Sequence, residues 1–338
     1  MKKRIIILIC SILIVILLLG ALQALVVPKY TDNTEGLLIR EYYENVGDND
    51  VIFVGDCEVY ESFVPAVLYE KYGITSYIRG SAQQLVWQSY YLLEETFKRE
   101  MPKAVVFNVY ALKYGTPQDE AYNRMTLDGM KWSASKYRAI RASMTEEENM
   151  LDYAVPLLRF HSRITELEAD DFKYMFSDKR VSHSGYLMKK GVVPMTEEAE
   201  SGRALLDYTL PETAMEYLDK MRELCEKHGT ELILVKAPTN TWGFWWYDEW
   251  DAQVTAYAEK NDLSYYNFID HKDEIGIDFS TDTYDEGMHL NVYGAEKLTD
   301  YFGRILSEDH GLNKTDRSQS VLDRWQANID AYYKERNS

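Results

Sequence analysis

The chain holds 3 Cys and 6 His, and one of each falls where acid–base and nucleophilic chemistry would need it. Cys57 stands in the stretch VIFVGDCEVYES at residues 51–62. The apolar start of that stretch reads as a buried strand, and Gly55 permits a sharp turn after it. A helix is expected from residue 63 to 72. Strand, tight turn, polar residue and helix together lift a side chain to the carboxyl edge of a parallel sheet, where open α/β folds bind ligands. A following helix start adds unpaired N–H groups and partial positive charge, which favour a thiolate and a developing oxyanion. His289 is the histidine that lies between the last expected strand and the last expected helix, on the same edge. The other cysteines suit other roles. Cys10 sits in the apolar N-terminal run, and Cys225 shares a helix face with Leu218, Met221 and Leu224, as a small core residue does. A Cys57–Cys225 bridge is the alternative, against the low Cys count.

These residues need a scaffold, and strand and helix signals alternate along the chain. Strands are expected at residues 51–54, 75–78, 104–109, 231–236 and 264–268. Helices are expected at 82–99, at 211–228 with Gly229 as its stop, and at 294–306. Such alternation implies a parallel sheet covered on both faces. Between the third and fourth strands, residues 112–210 are too long for a structureless loop. There Thr145 and Glu148 form a capping-box pattern before an apolar run through Leu151, Val155 and Leu158. The insertion is therefore expected to be a mostly helical lid, irregular at 177–196. Residues 309–338 form a polar tail with one helical stretch around 321–333.

At the other end, Lys2, Lys3 and Arg4 precede an apolar run from residue 5 to about 27, long enough to span a bilayer. An uncleaved anchor (1–27), with the basic end inside and the rest extracytoplasmic, is the expected arrangement, followed by a polar connector (28–49). Cleavage near Ala24 is the alternative. The net charge of −18, from 37 basic and 55 acidic residues, argues against nucleic acid as a partner. His and Cys do not recur at zinc spacing and no Gly-rich nucleotide loop follows a strand, so neither a metal nor another cofactor is expected.

Several motifs resemble the SGNH/GDSL hydrolase superfamily over about residues 50–308. Gly55-Asp56-Cys57 looks like that family's Gly-Asp-Ser block with Cys in place of the nucleophilic Ser. Gly80 and Asn108 are similar in position to its oxyanion Gly and Asn, and His289, within YDEGMHLNVYG, to its C-terminal base. The family's Asp three residues before the His is replaced by Glu286, with Asp285 one residue further back, and either carboxylate could orient the imidazole. The resemblance implies a flavodoxin-like three-layer α/β/α fold with a parallel five-stranded sheet. It also implies an oxyanion hole of the Cys57 and Gly80 backbone N–H groups and the Asn108 side chain. The phrase DFSTDTYDEGMHLNVYGAEKL is closest to a membrane-anchored Gram-positive branch. Members of it act with membrane-bound O-acyltransferases on envelope polymers or resemble teichoic-acid D-alanylation accessory proteins.

Two readings follow. One is an anchored extracytoplasmic esterase or O-acyltransferase that acylates or deacylates a cell-envelope polysaccharide or teichoic-acid-like polymer through a Cys57 thioester. The other is a non-catalytic polymer-binding or scaffold protein of an envelope acylation complex, which the Cys replacement and the altered Asn and Asp positions favour. Asp56, Lys236, Trp242, Trp245 and Trp246 are the expected substrate contacts. Aromatic faces stack on sugars, although the Trp-rich loop could equally be a small core under the insertion. Lys236 could meet an anionic group or a nearby carboxylate. Glu58 and Glu61 flank Cys57, and if they face inward they raise the thiol pKa. A thiol redox protein would want a second nearby Cys.

Overall fold

The structure is a computed structural model, and it describes residues 2–28, 37–44, 47–117, 119–174, 180–195, 204–240, 245–313 and 315–338. Five strands form one parallel sheet: β1 Val51–Gly55, β2 Ser76–Gly80, β3 Ala104–Asn108, β4 Glu231–Lys236 and β5 Ser264–Asn267. Their order is β2-β1-β3-β4-β5, the doubly wound order whose direction switches between β1 and β3. Alternate side chains feed two cores. Val51, Phe53, Ile78, Val106, Ile233 and Val235 pack on one face, and Ile52, Val54, Tyr77, Val105, Phe107 and Leu234 on the other. Strands buried on both faces have to be apolar at nearly every position, as the central strands β1, β3 and β4 are.

The main helices outside the insertion are α1 Lys2–Val26, α2 Cys57–Ser62, α3 Pro65–Tyr72, α4 Val86–Thr96, α5 Glu212–His228, α6 Tyr247–Lys260, α7 Val292–Glu308 and α8 Gln319–Arg336; those of the insertion are given by range below. The expected single helix after the nucleophile is two. Asp56 caps α2, accepting from Glu58 N at 3.2 Å, and Pro65 then forces a break. Proline has no N–H to give and keeps the residue before it out of the α region; Val64 is extended at φ −112°. Gly229 ends α5 in the left-handed conformation, φ 66°. The C-terminal helix is less detached than a polar tail. Trp325 on α8 stacks on Tyr69 of α3 at 4.8 Å, and Tyr332 is buried with its hydroxyl on Glu296.

The insertion carries helices Glu120–Leu127, Ala134–Ser143, Met150–Ala154, Leu157–Phe160 and Ala169–Tyr174. One detail departs from the sequence reading. Thr145 N does donate to Glu148 Oε2 at 2.6 Å, but the helix begins later, capped by Asn149. Pro156 then stops it. Leu151, Val155 and Leu158, the apolar run of the sequence, face outward, 59%, 41% and 51% exposed.

Two glycines set the top of the sheet. Gly55 and Gly80 are register partners. Gly55 has φ +151°, and a Cβ there would lie 2.6 Å from Val59 Cγ2 and 3.0 Å from Asn108 Cβ. We expect Gly55→Ala to cost roughly 1–3 kcal/mol in thermal unfolding, whereas a Gly229→Ala change, with nothing crowding the new Cβ, should cost less.

Candidate active site

The turn after β1 makes Cys57 the first residue of α2, half-buried at the switch point of the sheet. His289 arrives from the loop before α7. Its Nε2 lies 3.0 Å from Cys57 Sγ. Asp285 holds the histidine twice, accepting from its backbone N at 2.8 Å and lying 2.6 Å from its Nδ1. A carboxylate only accepts, so Nδ1 carries a proton and Nε2 turns its lone pair toward the sulfur. Of the two candidate carboxylates, Asp285 therefore orients the ring. Glu286 does not: it sits at φ +62° with its backbone bonded to Val193 and Asn240.

A strap from the insertion, residues 180–195, fixes this loop. Val193 N bonds Thr283 O, Glu286 N bonds Val193 O, and Val292 N bonds Lys189 O at 2.7 Å. The strap is tied in turn to the sheet by Ile78 N to Ser184 O and to α2 by Leu187 N to Tyr60 O. Gly185 passes so close to Ile78 that a Cβ would meet its carbonyl oxygen at 2.1 Å. The irregular stretch is thus the clamp on the histidine loop, a role its sequence did not suggest.

Acidic groups crowd the thiol. Glu61 is buried, accepts from the Tyr284 hydroxyl at 2.8 Å and lies 3.8 Å from His289 Nδ1. Burial pushes the Cys57 thiol pKa up; the His289 charge and hydrogen bond pull it down, and Asp56 and Glu61 add to the rise. Burial alone would lower the His289 pKa, but negative charge on Cys57 and the Asp285 hydrogen bond overcome it and raise it. Both shifts describe one proton shared between sulfur and imidazole.

Four of the expected site residues have other occupations. Asn108 is fully buried; its Nδ2 donates to Asp56 Oδ1 and Glu58 Oε2, each at 3.0 Å, and its Oδ1 accepts from Ala237 N. Both amide hydrogens are therefore spent, and the side chain has none for an oxyanion. Asp56, 2% exposed, is the α2 cap rather than a substrate contact. Burial and the Glu58 charge push its pKa up to about 7. Lys236 is fully buried and meets the nearby carboxylate of the two options, Glu58, at 2.8 Å. Trp246 packs on the core beside Tyr208. Trp245 is 43% exposed, and Trp242 lies outside the described residues. Gly80 stands against the Asp56 peptide, with a Cβ there 3.4 Å from Asp56 O.

Sequence reasoning missed Lys113. It ends the turn Val109–Lys113 directly after β3, on the same edge, and its Nζ sits 3.3 Å from the Tyr110 ring centroid. Burial lowers its pKa to about 8 against the pull of Glu58 and Asp56. Its position one turn beyond a strand end was the available signal.

No family model matches the chain, and no curated protein matches it. Among solved structures it is similar to a Bacteroides fragilis NCTC 9343 protein described as a "putative acylhydrolase", at 12% identity and a TM-score of 0.39, covering 80% of this chain and 94% of that one. A likeness this distant says nothing about what this chain acts on.

Two measurements probe the site. Glu61→Gln removes a charge that raises the thiol pKa, so Cys57 should alkylate faster with iodoacetamide, and His289→Ala should make it slower. The Glu61→Gln advantage should vanish at low pH, where Glu61, its own pKa raised by burial, is itself neutral. Separately, Lys236→Met strands Glu58 without its cation and should cost roughly 3–5 kcal/mol in denaturant unfolding, most of it returned by the Lys236→Met/Glu58→Leu pair.

Proposed function

We propose that this chain is an SGNH-like acyl-transferring enzyme, held at the membrane by α1 and acting outside the cell on an envelope glycan or teichoic-acid-like polymer. The observation that carries the chemistry is the line Cys57 Sγ, His289, Asp285, at 3.0 and 2.6 Å. α1 is the one helix among the described residues long and apolar enough to cross a bilayer. Lys2, Lys3 and Arg4 at its start favour an inside N-terminus.

In this reading His289 Nε2 takes the Cys57 proton as sulfur attacks the acyl carbonyl carbon. The tetrahedral intermediate collapses, the ester C–O bond breaks, and the imidazolium protonates the leaving oxygen. His289 then deprotonates a sugar hydroxyl or water, which attacks the thioester, and the thiol is restored with its proton. Asp285 keeps the tautomer. Oxyanion donation falls to the Cys57 backbone N–H at the start of α2, with Gly80 alongside, because Asn108 is committed elsewhere. Exposed Trp245 offers a face to a sugar ring. A membrane-bound O-acyltransferase is the partner that would supply the acyl group.

The committed Asn108 amide and the carboxylates around Cys57 favour a second reading, a scaffold that binds polymer within an acylation complex. Intact mass separates the two. Full-length protein in detergent, treated with p-nitrophenyl acetate, should gain one acetyl group on Cys57. Cys57→Ala should gain none, and His289→Ala should acylate about 100-fold more slowly or worse. No adduct, with unchanged glycan acylation in cells carrying Cys57→Ala, would establish the scaffold instead.

A further inference from the structure

We infer that the apolar outer face of the insertion rests in the outer boundary of the lipid bilayer, so that the domain docks on the membrane surface rather than hanging from α1 alone. The inference rests on the reading of α1 as a membrane span. Within residues 151–172, five large apolar side chains face outward: Leu151 59%, Val155 41%, Leu158 51%, Ile164 53% and Phe172 52% exposed. Soluble surfaces seldom gather so many in so short a segment.

The same segment grips the end of α1. Arg163 Nη1 donates to Val26 O at 2.6 Å, and Leu157 N faces Gln23 Oε1 at 3.5 Å. Helices Leu157–Phe160 and Ala169–Tyr174 and the turn His161–Thr165 all pack on α1. Val26 is fully covered, while the large apolar residues from Ile5 to Leu19 are 49–71% exposed.

Length decides the depth. A hydrocarbon core of ~30 Å takes about 20 residues at ~1.5 Å each. Counted from Ile5, that consumes the helix to about Ala24. Gln23 and Val26 therefore lie at the boundary, and side chains packed beside them lie there too. Charge excludes the alternative of a purely electrostatic contact, because a chain of net charge −18 is repelled by anionic headgroups. Apolar side chains at the acyl–headgroup boundary supply an attraction that charge does not. Burying them would hold the Cys57 edge at a fixed height, open to substrates that stay near the membrane.

Spin-label accessibility tests this on the full chain in nanodiscs of phosphatidylethanolamine and phosphatidylglycerol. The background is Cys57→Ser and Cys225→Ala, with native Cys10 as the marker inside the hydrocarbon core. Single labels at Leu158→Cys and Ile164→Cys, and at Lys220→Cys on α5 as a solvent reference, carry Cys10→Ser as well. Cys10, 158 and 164 should be relaxed several-fold more by oxygen than by a nickel chelate, and 220 the reverse. If Cys10 reports lipid while 158 and 164 behave like 220, the docking inference is overturned and the anchor stands. If Cys10 reports water, the anchor reading fails and the inference with it. Shielding of 158 and 164 from both probes would mean a protein covers this face, which also overturns it.

Discussion

Two residues 232 apart in sequence meet at 3.0 Å, and most of the molecule's irregular features serve that contact. On the sulfur side, β1 must end beside β2 closely enough for Gly55 and Gly80 to be register partners. Neither tolerates a Cβ without moving a neighbour. On the imidazole side, a loop with little regular structure is pinned from three directions. Asn291 Nδ2 bonds Thr281 O and Gly191 O, Lys297 pairs with Asp282 at 2.7 Å, and the 180–195 strap runs alongside. A histidine on a free loop would sample many positions. This one is held by Asp285 through both backbone and ring, which is the pre-organisation that proton transfer needs.

The charges around that contact oppose one another. Burial and nearby carboxylates favour a neutral thiol, and the imidazole alone draws it toward thiolate. Charge at Cys57, the hydrogen bonds to Asp285 and Cys57 and the Glu61 charge together raise the His289 pKa against burial. In the proposed reaction the imidazolium forms as the sulfur gives up its proton. Asp285, touching Nδ1, then stabilises the imidazolium. Glu61 at 3.8 Å adds to that stabilisation while raising the thiol pKa.

The fold was legible because its central strands are buried on both faces. That condition writes unbroken apolar runs into the sequence, and β4 appears in the structure with the very limits, Glu231–Lys236, that its composition suggests. Gly55, Cys57 and His289 were legible because turn chemistry and chain order place them on one edge. The side-chain partners were not. Nothing in the type or position of Asn108 says that its amide faces two carboxylates, and a lysine at a strand end looks the same whether it meets a ligand or, like Lys236, a buried Glu58. The run through Leu151, Val155 and Leu158 was legible as apolar and helical but not as exposed. Periodicity reports that one face is apolar, not what covers it, and Pro156 broke the helix the pattern implied. The strap had no periodicity to read, since its bonds go to distant loops one residue at a time.

Committing Asn108 has a consequence for where an oxyanion's stabilisation must come from. With its amide hydrogens on Asp56 and Glu58, the remaining donors are backbone N–H groups at the start of α2. Their partial positive charge is offset by the Asp56 cap when that carboxyl is ionised. Burial and Glu58 hold the Asp56 pKa near 7, well above an ordinary carboxyl. A protonated Asp56 can still accept the Glu58 N–H through its carbonyl oxygen, yet it no longer places a negative charge beside the reacting centre. Lys236 neutralises Glu58 directly at 2.8 Å, and the Lys113 ammonium adds positive charge to the same edge. In the proposed reaction, the oxyanion would therefore draw on the α2 backbone N–H groups and the electrostatics of this buried cluster rather than on the Asn108 side chain.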